Sequence, residues 1–112
     1  MTAESASCWE DKRTDETRQV EDLLKKHFRQ ADVYRYNSAS IRVRVIDPAF
    51  ETMSRDDRYG KIEKVLELLP AEIQSDIVTL LAFAPSDLDQ SQRRLREQML
   101  NVEFDRPSPS RL

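Results

Sequence analysis

The apolar pattern of this chain predicts an α+β domain of the order α-β-β-α-α-β, a three-stranded sheet with an additional C-terminal helix. Three observations lead there. Apolar residues recur at helical spacing in 14–30 and again in 54–69. In 41–46 they alternate with arginines at period two, the mark of a strand with one buried face. The stretch 76–84 is apolar on both faces, so it needs cover on both.

The first helix follows from Val20, Leu23, Leu24 and Phe28. Asp15 and Glu16 sit early in it and Lys25, Lys26 and Arg29 late, which suits the helix dipole. A short strand is expected over 33–36, and Asn37, Ser38, Ala39 and Ser40 supply turn chemistry. Ile41, Val43 and Val45 then face one way and Arg42 and Arg44 the other, so the two strands read as a hairpin. Pro48 stops the second strand, because proline cannot donate to the ladder.

Ser54 is the expected N-cap of the second helix, with Asp57 three residues on, and Ile62, Val65, Leu66 and Leu69 form its buried stripe. Gly60 inside it costs about 1 kcal/mol relative to alanine, which asks for a reason, either close packing or a binding surface. Pro70 ends this helix and opens a third over 71–75. In the last strand, Ile77, Leu81 and Phe83 are expected on one face and Val78, Leu80 and Ala82 on the other. Beyond Pro85, Ser86 reads as a cap, and Leu88, Leu95 and Met99 as the stripe of a helix to about residue 100 that would cover the sheet. Were that segment to extend away, a second copy would have to cover the face, giving a homodimer.

With 112 residues, the chain has the length of one domain. Its apolar residues are bunched between 20 and 83. The expected organisation is therefore a disordered tail over 1–13, a single domain over 14–104 and a flexible tail over 105–112. The net charge of −3 lacks the basic excess of a nucleic-acid binder. The single Cys8 can form no internal disulfide and frames no metal site. The N-terminus has no apolar segment of the secretory kind, and the apolar run 77–84 is too short to cross a bilayer. These point to a cytoplasmic protein with no membrane association. The sole histidine, His27, has no partner that would make it a general base. With one glycine in the chain there is no phosphate-cradling loop, and neither a Gly-x-Ser-x-Gly nor a Cys-x-x-Cys motif occurs. No catalytic residue, metal ligand or cofactor is expected.

The segment Phe50-Glu-Thr-Met-Ser-Arg-Asp-Asp-Arg-Tyr-Gly-Lys-Ile62 resembles the BolA family, whose stretch reads Phe-x-Gly-x-Ser-Arg-x-x-Arg-His-Arg-x-Val. Phe50, Ser54, Arg55, Arg58 and Ile62 fall on matching positions. The strand 41–46 is similar to the one before the family's motif, and 80–88 to its final strand and following turn. The likeness implies a BolA-like fold, related to the type II K-homology fold. It also implies an iron–sulfur cluster shared with a monothiol glutaredoxin, held by the motif histidine and by a second ligand from the loop joining the first two strands. Here Tyr59 stands at the histidine position, Thr52 at that of the glycine, and the loop is cut to 37–40. Tyrosine is a poor ligand for such a cluster, so the cluster role is not expected to carry over.

The expected function is a non-enzymatic protein-interaction or regulatory module. Its contact surface would be the second helix with Arg55, Arg58 and Tyr59, plus Phe50 before it. The alternative is a nucleic-acid-binding domain using Arg42, Arg44, Arg55 and Arg58. Against it, the Gly-x-x-Gly loop of K-homology modules is absent, and Asp56, Asp57, Glu63 and Glu67 balance the second helix's cations.

Overall fold

The computed structural model describes residues 13–89 together with Val102 and Phe104. Helix α1 (Asp15–Lys25) begins at Thr14 with a reciprocal cap. The Thr14 hydroxyl accepts from the Thr17 amide, and the Thr17 hydroxyl accepts from the Thr14 amide. The helix is shorter than the predicted 14–30. By Gln30 the chain is already extended in β1 (Gln30–Asn37), with Phe28 buried in the connection and His27 exposed there.

Strand β1 pairs antiparallel with β2 (Ser40–Ile46). Strand β2 pairs parallel with β3 (Ile77–Phe83), giving the order β1-β2-β3. A parallel neighbour needs a long crossover. Here it comprises a 3-10 turn (Pro48–Thr52), α2 (Arg55–Leu66) and the short α3 (Ala71–Asp76). Ser54 caps α2 as expected, its hydroxyl accepting from the Asp57 amide. The predicted element order and the three-stranded sheet are those the chain forms.

The hairpin connection is the pair Ser38-Ala39, with Asn37 opposite Ser40 and the Asn37 Oδ1 accepting from the Ala39 amide. No described residue has a positive φ, so the primed turns that match strand twist are not used. The mismatch is absorbed next door, where the register shifts between Arg35 and Asn37. That shift sets Val33 opposite Val43, Tyr34 opposite Arg42 and Asp32 opposite Arg44.

The helical side of the sheet is the main core. Val33, Ile41, Val43, Val45 and Ala82 meet Val20 and Leu24 of α1, Ile62 and Leu66 of α2, and Phe28, Phe50 and Leu69 from the connections. Strand β3 differs from its predicted alternation. Its register against β2 slips between Ile41 and Arg42, which sends Ile77 to the helical side with Leu80 and leaves Val78 exposed at 63%. Arg35 ties three elements at one corner. Its Nη2 donates to Asp76 at the end of α3 (3.0 Å) and Glu16 at the start of α1 (3.3 Å), and its Nη1 to the Ser38 carbonyl of the hairpin (3.2 Å).

The other side of the sheet carries a second cluster: Tyr34, Ile46, Leu81, Phe83 and Phe104. Phe104 is 1% exposed and meets the Tyr34 ring edge-on at 5.1 Å. Cover from the C-terminal segment therefore reaches this face through Phe104. Leu95, Met99 and the Leu88 side chain, to which that role was assigned, lie outside the described residues, as do the expected tail 105–112 and, Arg13 apart, the expected tail 1–13. Directly after β3 the chain makes a 3-10 turn (Pro85–Asp89). Ser86 is not its cap: its amide and hydroxyl bond Glu51, and Asp87 accepts from the Ala84 amide instead.

Candidate interaction surface

The structure divides the six sequence-predicted contact residues between two faces of the sheet. Phe50, Arg55, Arg58 and Tyr59 gather at the start of α2, while Arg42 and Arg44 lie on the far side with Phe104.

Of the first four, two are structural. Phe50 is completely buried, its ring 5.7 Å from that of Phe28, so it presents no surface to a partner. Arg58 is folded down over it, guanidinium 5.8 Å from the ring centre. The Arg58 Nε donates to the Met53 carbonyl, and its Nη1 to the Ala82 carbonyl (3.4 Å) and to Asp87 (2.7 Å). A guanidinium committed to two carbonyls and a carboxylate joins α2 to the end of β3 and has little left for a ligand. Arg55 and Tyr59 remain. Arg55 is exposed and Tyr59 half-buried, one helical turn apart, with the guanidinium 5.9 Å from the ring centre. Next to Tyr59, Gly60 is exposed, and a Cβ built on it meets nothing within 4 Å. Close packing is thus not what the glycine serves.

The two strand arginines are held in place. Arg44 is 6% exposed; its Nε and Nη2 both donate to Asp32 (3.0 and 2.7 Å), and its guanidinium lies 5.1 Å from the Phe104 ring centre. Arg42 is half-buried, stacked 3.9 Å over Tyr36 and donating to the Tyr34 hydroxyl at 2.9 Å. Sequence reading missed Asp32, Asp87 and Glu51 as the partners that decide which cations and turns are pinned. Asp32 was findable only with the hairpin register in hand, since the shift near Tyr36 is what brings it opposite Arg44.

The residues do not fit an iron–sulfur cluster. Tyr59 packs its ring against the main core, and the turn residues Ser38 and Ala39 carry neither thiolate nor imidazole. His27 is exposed in the connection from α1 to β1, on a different element. No helix among the described residues is long and apolar enough to cross a membrane.

No family model and no curated protein matches the sequence. Among solved structures, the chain is similar to BolA1 from Arabidopsis thaliana, with a TM-score of 0.52 and 13% sequence identity. The match covers 67% of this chain and 98% of that one. The protein thus has a BolA-like α+β fold, and at this identity the likeness is one of fold.

Proposed function

We propose that the chain is a non-enzymatic BolA-like module that binds another protein through the exposed first half of α2, at Arg55, Tyr59 and Gly60. The observation that carries this reading is Gly60. A glycine inside a helix costs about 1 kcal/mol relative to alanine, and nothing within 4 Å of the position would be displaced by a methyl group. A bare stretch of helix beside a cation and a half-buried aromatic ring lets a partner approach the backbone closely. Phe50 and Arg58 support the surface from beneath and make no contact themselves.

The nucleic-acid alternative has less support. Arg44 is neutralised by Asp32 and roofed by Phe104, and Arg42 is spent on two tyrosines. With Phe104 seated on the second face, a homodimer formed to cover that face loses its premise.

The test is affinity capture with the full chain against the Arg55→Glu/Tyr59→Ala double variant, both checked by circular dichroism. Proteins retained by the first and lost by the second bear the reading out; identical retention by both removes it. A gel-shift series over salt addresses the alternative, because phosphate contacts weaken steeply with salt.

A further inference from the structure

At the opposite end of α2 from Arg55, an open groove of about 330 Å³ is lined by Glu63 and Leu66 of the helix, Glu67 at its C-cap, Gln74 of α3, and Ile77 and Leu80 of β3, among others. Strand β3 forms its floor and is an edge of the described sheet. From Ile77 to Phe83 it contains no charge and no proline. Sheet edges of this kind are normally blunted by such residues, because their unpaired backbone groups recruit further strands.

Here the blunting is partial. The Phe83 carbonyl accepts from Asp47, at the end of β2, so by alternation Ala82 and Ala84 turn their polar groups outward. Those two are closed off: Arg58 donates to the Ala82 carbonyl, and Asp87 accepts from the Ala84 amide. Leu80 has the same outward sense and lies where that closure stops, beside the exposed Val78 and the groove. On this wall, Glu63 of α2 and Glu67 at its C-cap are one turn apart. Neither is in an ion pair among the described residues, and like charges at this spacing repel.

We propose that this groove receives an extended peptide segment as an additional strand on β3. An apolar side chain of the segment lies against Leu66, Ile77 and Leu80, and a neighbouring Lys or Arg reaches Glu63 and Glu67. Backbone pairing supplies affinity and the alternate side chains supply specificity. A basic segment is the occupant the charges select, and the chain's net charge of −3 steers it inward. A second copy offering its own β3 would bring no charge at all to the two carboxylates. The inference goes beyond the reading of α2's first half and does not depend on it.

The experiment is a titration of the ¹⁵N-labelled full chain with a short acetylated peptide of alternating lysine and valine, followed by amide shifts. A glutamate–valine peptide of the same length serves as the control. Saturable shifts at 77–80 and 63–67, absent with the acidic peptide, are expected. The Glu63→Gln/Glu67→Gln variant should bind about tenfold more weakly. Val78→Lys, at an exposed site, should weaken binding while leaving the spectrum otherwise intact. Equal response to both peptides, shifts elsewhere, or unchanged affinity in the glutamine variant overturns the proposal. So does a concentration-dependent dimer, seen by sedimentation, that Val78→Lys abolishes. Failure of the Arg55 surface would instead appear in the capture experiment and leave these shifts untouched.

Discussion

Arg55 and Arg58 lie three residues apart on α2, and both fall on matching positions of the motif, yet their surroundings differ completely. Arg58 has a side chain only 15% exposed and supports two carbonyls and Asp87. Arg58→Ala therefore strands a partly buried carboxylate and two acceptors, and should lower stability by about 2 kcal/mol. Arg55→Ala, at the surface, should change it by less than about 0.5 kcal/mol. Urea denaturation of the two variants side by side checks the contrast. Gly60→Ala should move stability the other way, by about +0.5 to +1 kcal/mol, because the methyl group enters open space and the helix gains propensity. A destabilised alanine variant would show that the glycine answers to the fold rather than to a surface.

Among the elements, the β1–β2 hairpin is where local chemistry and long-range packing meet. The turn Asn37–Ser40 without its shift would place Arg44 opposite Val33, on the wrong face. The irregularity near Tyr36 restores valine to valine and arginine to aspartate. The Asp32–Arg44 pair is a product of that register, and its worth can be isolated. A double-mutant cycle with Asp32→Ala and Arg44→Ala should return a coupling energy of about 1 kcal/mol, measured by denaturant unfolding. Helix α1 depends on its start in a simpler way. Thr14→Ala removes one half of the reciprocal cap with Thr17 and should cost about 1 kcal/mol.

For the whole molecule, the decisive fact is that each side of the sheet has its own cluster, and that the second one depends on a residue near the C-terminus. Phe104→Ala opens a space against Tyr34, Leu81 and Phe83 and should lower stability by about 3 kcal/mol. Increased binding of a hydrophobic dye is the accompanying sign of exposed surface, and thermal unfolding gives the magnitude. If stability and dye binding are unchanged, the second cluster contributes nothing to the fold.

How much of this was readable beforehand follows the range of the interactions. Element types and their order came from signals within a few residues: the 3.6-residue stripes of α1 and α2, the alternation in β2, the Ser54 cap, and the stops at Pro48 and Pro70. The helix ends came less well. Phe28 fits the α1 stripe, yet burial against Phe50 in the connection holds it outside the helix. The candidate surface was half readable. The motif pointed to the start of α2, but not to which of its residues face water, since that depends on Asp87, 29 residues from Arg58. The sequence by itself determined that this is an α+β chain with three strands in this order and without the family's histidine. Tertiary structure alone decided which arginines stay accessible, where Ile77 turns, and what covers the second face of the sheet. Those outcomes rest on strand register and on partners far apart in the chain, and neither leaves a periodic trace in the residues themselves.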